Sequence, residues 1–412
     1  MIGSGAREHA LALALRRDAA VTAVAVAPGN PGTAGVADQL AVDPMDPVGV
    51  AGLAGGWRAD LVVVGPEAPL VAGVADAVRD AGIACFGPSA AAARLEGSKS
   101  FAKDVMAHAE VPTALARVCR SPLEVEAAVD ALGPPYVVKD DGLAGGKGVV
   151  VTDDREAALA HGVTCLARGG EAVVVEEFLD GPEVSLFCLT DGRAVVPLVP
   201  AQDFKRLGDG DTGPNTGGMG AYSPLPWAPA GLVDEVMSRV AQPTIDVMRH
   251  RGSPFVGVLY VGLALTARGL RVVEFNARFG DPETQVVLAR LRSPLGALLM
   301  ACAAGRLADV PPLVWSPEAA VTVVVAAAGY PQAPRSGDRV DGLAAAGAVD
   351  GASVLHAGTA VRDDVIVTGG GRVLSVVGVG DDLPAARATA YRAVDLIELA
   401  GSQHRTDIAA QV

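Results

Sequence analysis

Lys139-Asp140-Asp141-Gly142-Leu143-Ala144-Gly145-Gly146-Lys147-Gly148 lies between two apolar, β-branched runs, residues 136–138 and 149–151. Two strands joined by a glycine-rich loop is the simplest reading of that pattern. The four glycines leave backbone N–H groups free to turn toward an anion. A lysine stands at each side of the loop. The arrangement suits a clamp on a polyphosphate, although a glycine-rich hairpin can be merely a flexible one and short motifs of this kind match by accident.

Composition favours the clamp. The chain carries 33 Lys+Arg, but only Lys99, Lys103, Lys139, Lys147 and Lys205 are lysine. All five fall between residues 99 and 205. A compact ammonium that must reach one phosphate oxygen is not freely exchanged for a guanidinium. Lys139 and Lys147 have the most phosphate-like setting of the five. Chance clustering in a lysine-poor chain is the plainer alternative.

A chain of 412 residues is too long for one core, so two to four domains are expected. No stretch of about twenty uninterrupted apolar residues is present, so no membrane-spanning helix is predicted. The opening residues 1–9 lack the basic n-region and apolar core of a signal peptide. Cys85, Cys119, Cys165, Cys188 and Cys302 are scattered and form no CxxC, which points to buried thiols in a reducing cytosol and a cytoplasmic protein. A net charge of −14 argues against a nucleic-acid partner, which would need a basic face.

Residues 1–95 alternate strand-like segments (21–27, 61–64, 83–86) with helix-like ones (9–17, 47–55, 69–81). That alternation predicts an open parallel sheet with helices on both faces. Ligands of such sheets sit at the C-terminal ends of the strands. Three loops fall there: 3–5, 28–33 and 65–69. Only Met1 and Ile2 precede Gly3, so the first strand is predicted to be short or absent, through missing residues or a late-assigned start.

Ser98 is placed to cap a helix that continues to about residue 110 and stops at Val111-Pro112. Lys99 then lies in its first turn. Residues 113–180 are expected to form a compact α+β unit around the glycine-rich hairpin, with helices near 123–132 and 155–166 and a strand at 172–176. That strand runs through Glu176, Glu177, Phe178 and Leu179 into a linker that can offer backbone groups to a purine edge. Glu183 starts the next strand and can take two ribose hydroxyls. Solvated strand-end charges are the bland reading of Glu176 and Glu177.

Residues 201–224 read as a long polar loop of the active-site-cover type, since a structureless loop of this length is usually functional or disordered. A helix is predicted near 230–249, then a hairpin of 256–266 and 270–276. Side chains alternate along its second strand, so Glu274 and Asn276 share a face, about 7 Å apart at the backbone, with Arg278 beyond. Two such oxygen donors suit Mg²⁺, which completes its shell with water and substrate phosphates. From about residue 318 the chain becomes strand-rich (321–328, 365–367, 373–379) and ends with a helix near 383–399.

Taken in order, these pieces resemble glycinamide ribonucleotide synthetase (phosphoribosylamine–glycine ligase), a family of ATP-grasp enzymes of purine biosynthesis. The carriers are Gly5-Ala-Arg-Glu-His-Ala10, Ala27-Pro-Gly-Asn-Pro-Gly-Thr33, Val64-Gly-Pro-Glu-Ala-Pro-Leu70, Leu95-Glu-Gly-Ser-Lys99, Asp141-Gly-Leu-Ala-Gly-Gly-Lys-Gly-Val149, Asp211-Thr-Gly-Pro-Asn-Thr-Gly-Gly-Met-Gly-Ala-Tyr-Ser-Pro224 and Glu274-Phe-Asn-Ala-Arg-Phe-Gly-Asp-Pro-Glu-Thr-Gln285. The last two are highly specific, and the match spans essentially the whole chain.

The resemblance implies an α/β and α+β multidomain chain. An N-terminal open parallel sheet domain (1–95) would hold the substrate. An ATP-grasp main domain (96–112 and 181–317) would carry a mobile lid (113–180), and a β-rich C-terminal domain (318–412) would follow. The reaction implied is ATP + glycine + 5-phosphoribosylamine giving glycinamide ribonucleotide, ADP and phosphate through a glycyl phosphate, with ATP and Mg²⁺ or Mn²⁺ bound. Lys139, Arg278, Asp211 and Lys147 would be catalytic. Lys99, Lys139, Gly145, Gly146 and Lys147 would hold phosphates, Glu176, Glu177, Phe178 and Leu179 the adenine, and Glu183 the ribose. Gly5, Arg7, Asn30, Gly32, Thr33, Glu67, Asn215, Gly218 and Met219 would line the substrate sites, and Glu274 and Asn276 would bind the metal. A monomer is implied, with a transient contact to the enzyme that makes phosphoribosylamine.

Three positions depart from the family pattern: Ala6 for a glycine, Asp140 for an alanine and Phe204 for a histidine. Another ATP-grasp carboxylate–amine ligase with a different acceptor is the alternative, disfavoured by the 216–220 loop. A nucleotide-binding oxidoreductase, suggested by Gly3-Ser-Gly5 before a helix, would need a third glycine at the right spacing and an acidic residue after a second strand, which the chain lacks. A dead homologue would not need Lys139, Glu274, Asn276 and Arg278 together.

Overall fold

A computed structural model of the chain describes residues 1–143, 148–168 and 172–412. In the N-terminal part the strands Asp38–Gln39, Ala25–Pro28 and Ile2–Gly3 pair in parallel. Leu61–Val63 pairs in parallel with Ala84–Phe86, and an Ile2–Val64 bridge joins the two groups into one layer. The central strand has two residues, as its sequence predicts. The helix expected over 69–81 is two helices, Glu67–Val71 and Val74–Asp80. Gly73 between them sits at φ +88°, a left-handed backbone that breaks the hydrogen-bond ladder.

Ser98 caps the helix Lys99–His108, its Oγ accepting from the Phe101 N–H at 3.2 Å. The next unit is a four-stranded antiparallel sheet in the order Ala116–Cys119, Val173–Glu176, Tyr136–Asp140, Val149–Thr152. Helices Pro122–Leu132 and Arg155–Ala167 cover it around a separate core that includes Val125, Val129, Val138 and Cys165. The loop between Tyr136–Asp140 and the edge strand Val149–Thr152 carries Gly145, Gly146 and Lys147, which lie outside the described residues. A second antiparallel sheet, in the order Val195–Pro197, Glu183–Asp191, Val256–Thr266, Gly269–Asn276, forms the middle of the molecule.

Residues 201–224 are not a structureless cover. Arg206–Gly208 pairs with Thr212–Asn215 as a small hairpin. Gly220–Ser223 is a strand between Gln202–Asp203 and Ala319–Ala326, in a five-stranded sheet completed by Arg372–Gly380 and Ala352–His356. The glycines hide this strand from sequence reasoning, but Met219, Ala221, Tyr222 and Ser223 are all buried in it. The sheet therefore crosses the division drawn at residue 318. Its outer face is covered by helix Leu383–Val394, which stops short of 399 because Glu398–Leu399 pairs as a strand with Val340–Asp341. The helix predicted near 230–249 is Leu232–Val236 and Gln242–His250, joined by the wider turns of Met237–Ala241. All five cysteines are free and buried, and no described helix is long and apolar enough to cross a membrane.

Candidate active site

The units meet around a cavity of about 400 Å³ whose walls come from every part of the chain. Lys139 enters it from the strand Tyr136–Asp140. Its ammonium lies 2.9 Å from Glu176 Oε2 on the neighbouring strand and donates to the Val273 carbonyl at 3.4 Å. Lys103 approaches the other oxygen of Glu176 at 3.1 Å. Two ammonium groups thus share one carboxylate, and the cluster keeps a net positive charge.

Burial works against the Lys139 charge, but Glu176 and Glu274 outweigh it and hold the ammonium above its ordinary range. Burial would raise Glu176, yet Lys139 and Lys103 hold it below the usual carboxylate value. Lys103 itself is held low, burial there exceeding the help from Glu176. The two lysines differ because Glu274 supports only Lys139 as well. Lys99, in the first turn of its helix, donates to the Gly142 carbonyl at 3.0 Å and is also lowered by burial.

On the facing strand, Glu274 and Asn276 project into the same cavity as Lys139. Asn276 Nδ2 donates to Glu274 Oε1 at 3.4 Å. Burial pushes Glu274 up, but Lys205 and Lys139 more than offset it, so the group stays ionised. No cluster of three or more His, Cys, Asp or Glu suited to a metal exists among the described residues. One ionised carboxylate and one amide oxygen is nevertheless the donor set that a cation completing its shell with phosphates and water requires, and the residues fit Mg²⁺.

Arg278 follows on the same chain segment. It is 3.1 Å from Glu67 Oε2 and 3.1 Å from Glu96 Oε1. Burial pushes Glu96 up to about 7 with Arg278 opposing, while Arg278 and Arg7 bring Glu67 below its usual value despite burial. Arg7 lines the cavity too, donating to the Phe279 carbonyl at 3.0 Å and meeting Glu8 at 2.5 Å. Glu8 in turn accepts from the Gly5 N–H at 2.6 Å.

The remaining expected residues are distributed as follows. Asn30 accepts from the Gly32 and Thr33 N–H groups and donates to the Ser4 and His356 carbonyls, so its side chain is used in building the loop. Thr33 is fully buried beneath it. A Cβ on Gly32 would lie 2.5 Å from His9 Cε1, so only glycine lets the two histidines approach. Glu177, Phe178 and Leu179 lie at the end of the strand Val173–Glu176, with Glu177 accepting from the Leu115 N–H at 3.0 Å. Glu183 is ion-paired with Lys205. Of the expected residues, Gly5, Asn30, Gly32, Thr33, Glu177, Phe178, Leu179, Glu183, Asp211, Asn215, Gly218 and Met219 do not line the cavity. Asp211 is exposed on a turn against Arg405, Asn215 pairs with Arg206 across the small hairpin, Gly218 packs on Pro282, and Met219 is buried in the C-terminal sheet.

Several cavity residues were not singled out as site residues from sequence: Glu96, Asp203, Tyr260, Asp281, Glu283 and Arg372. Lysine scarcity had marked Lys103 and Lys205 without giving them roles. Asp203 is pushed up to about 7 by burial, with Lys205 opposing and Glu283 and Glu183 adding to the rise. Ser185 Oγ bridges Tyr260 Oη at 2.8 Å and Glu283 Oε1 at 2.9 Å. Arg372 comes from the C-terminal sheet and holds the Gly217 and Asp281 carbonyls at 2.5 and 2.7 Å. Nothing in its local sequence signals this. The glutamates were visible within motifs, at 96 and 283, but their direction was not.

A carboxylate–amide pair facing ammonium groups across a cleft between two antiparallel sheets is the arrangement of an ATP-grasp site, and comparison with known proteins agrees. Models of phosphoribosylglycinamide synthetase match most of the chain: the N domain over residues 1–96, the ATP-grasp (A) domain over 97–284 and the C domain over 320–411. The phosphoribosylamine–glycine ligase of Streptomyces coelicolor is 66% identical over 413 residues, covering 100% of this chain and 98% of that one. The Mycobacterium tuberculosis protein of the same name is 59% identical, over 99% and 96%. The crystal structure of phosphoribosylamine–glycine ligase from Thermotoga maritima superposes with a TM-score of 0.85 at 32% identity, covering 99% of this chain and 98% of that chain. Biotin carboxylase from Campylobacter jejuni shares the fold at a TM-score of 0.73 and 14% identity, over 98% and 92%. The chain belongs to the phosphoribosylglycinamide synthetase, or phosphoribosylamine–glycine ligase, family and is built on the ATP-grasp fold.

Proposed function

We propose that the cavity is where ATP, glycine and 5-phosphoribosylamine meet, and that its two ends divide the work of the family's reaction. In that reaction glycine's carboxylate oxygen attacks the γ-phosphorus of ATP, and ADP leaves. The amine of phosphoribosylamine then attacks the carbonyl carbon of the resulting glycyl phosphate, losing a proton as phosphate departs, and glycinamide ribonucleotide remains. Both steps gather negative charge on phosphoryl and carbonyl oxygens, so positioned cations do most of the stabilising. The observation that carries the reading is Lys139 and Glu274 in one cavity with Arg278 beside them.

At the nucleotide end, Lys139 and Lys99 neutralise phosphate oxygens, joined by Lys147 and the N–H groups of Gly145 and Gly146. Lys139 is held charged by Glu176 and Glu274 and needs no proton from solvent. The backbone of 176–179 meets the adenine edge, with Phe178 alongside, and Glu183 takes the ribose once Lys205 releases it toward the transferring phosphoryl group. Glu274 and Asn276 would hold Mg²⁺, which would shield the β- and γ-phosphate charge when bound. At the other end, Arg278 stabilises the attacked carbonyl and Glu67 orients the ribosylamine. Gly5, Arg7 and the 30–33 loop receive its phosphate. Asp203 and Glu283 supply the negative charge that glycine's ammonium requires.

The test is ADP release measured with glycine, with and without phosphoribosylamine. Release that needs glycine and accelerates with phosphoribosylamine is expected. Release indifferent to both would overturn the assignment.

A further inference from the structure

We infer that Arg405, almost at the end of the chain, is a positioning residue for the reaction, acting through Phe204 on Lys205 and Asp203. The inference rests on the reading that Lys205 faces the transferring phosphoryl group. Asp203 and Lys205 line the cavity, while Phe204 between them does not. Side chains alternate across an extended segment, so whatever fixes Phe204 fixes the direction of both neighbours. The Arg405 guanidinium lies 4.8 Å from the centre of the Phe204 ring, a cation–π distance.

Arg405 is itself held unusually well for an arginine, with a side chain only 1% exposed. Its Nε and Nη2 donate to the two oxygens of Asp407 at 2.7 and 2.6 Å. Its Nη1 donates to Asp211 at 2.5 Å and to the Arg206 carbonyl at 3.4 Å. Asp407 also accepts from the Gly210 N–H at 2.8 Å, and Asp209 accepts from the Thr406 N–H at 2.8 Å. Residues 405–407 therefore clasp the whole 204–211 turn. The turn's other end is fixed to the cavity wall, where the Lys205 carbonyl accepts from both the N–H and the hydroxyl of Thr216 at 2.8 Å. Asp211, 70% exposed and outside the cavity, is then a latch on this clasp. A bidentate guanidinium stacked on a ring cannot be replaced by an ammonium without loss of geometry.

The experiment is a kinetic cycle on the full-length protein: Arg405→Lys, Lys205→Met and the double variant, with kcat and KM for ATP and glycine. Arg405→Lys is expected to lower kcat about tenfold, the scale of a small misplacement of a reacting group, with KM for ATP within about twofold. In the Lys205→Met background the same change should cost less than about twofold, because residues acting as one unit are not additive. Phe204→Leu, which removes the ring and keeps most of the volume, should repeat the pattern if Arg405→Lys expresses poorly. Equal losses in both backgrounds would show a general structural role and overturn the inference, as would an unchanged kcat in both Arg405→Lys and Phe204→Leu. A Lys205→Met protein at the normal rate would instead remove Lys205 from the chemistry, and the inference with it.

Discussion

Lys139 and Glu176 form a buried ion pair, and such pairs contribute little to folding because desolvation offsets most of the attraction. Their charges are better explained by a ligand. The same reasoning applies to Glu274, ionised in a buried setting only because two lysines face it. Glu274→Ala should lower turnover at least about a hundredfold, the scale for removing a preorganised charge stabiliser, with little change in unfolding midpoint. Near-normal rates would remove it from the metal site. His9 gives a pH prediction. Its Nδ1 accepts from the His356 N–H at 2.9 Å, which requires an unprotonated ring, and burial lowers its pKa from 6.5 to about 4. Between those values the unfolded chain binds the extra proton and the folded one does not, so stability falls as pH drops through the window. At about 1.4 kcal/mol per unit, the loss approaches roughly 3 kcal/mol by pH 4. Denaturation midpoints of His9→Gln, which keeps a hydrogen-bond acceptor, should depend less steeply on pH than those of the parent between 6.5 and 4.

The elements around the site are shaped by local rules that the sequence displays. Ser98 and Ser121 cap their helices, and Ser121 forms a reciprocal capping box with Glu124. The 113–180 unit depends on one close approach between its two helices. A Cβ at Gly162 would fall 2.7 Å from Val125 Cγ1. Gly162→Ala should gain up to about 1 kcal/mol of helix propensity but lose about 1–3 kcal/mol to overpacking. Net destabilisation is expected, seen as faster amide exchange confined to residues 122–167. A stabilised variant would mean the helices separate at no cost.

No single unit encloses the cavity: Arg7 and Glu67 come from helices of the N-terminal unit, Lys139 from the small sheet, Glu274 from the central one and Arg372 from the C-terminal one. Binding should therefore stabilise the molecule as a whole. ATP with Mg²⁺ at a hundred times its dissociation constant should add about 2.7 kcal/mol, read as a rise in thermal midpoint. Chelating the metal with EDTA should remove most of that rise. An equal shift with and without divalent cation would take the metal out of the nucleotide site.

From residue order alone came the alternating N-terminal sheet, the glycine-rich hairpin with its flanking strands, the capped helix at Ser98 and the family. Each is recorded in short-range periodicity, turn chemistry or motif spacing. Folding alone settled which polar groups converge. Arg372 and Arg405 reach the site region from strands and turns more than 150 residues beyond the glycine loop, and Gly220–Ser223 became a buried strand because Gln202–Asp203 and the distant Ala319–Ala326 offered it partners. Local sequence encodes backbone preference and which side is apolar. It does not encode the contacts that close a cavity, because those depend on where separately folded layers dock.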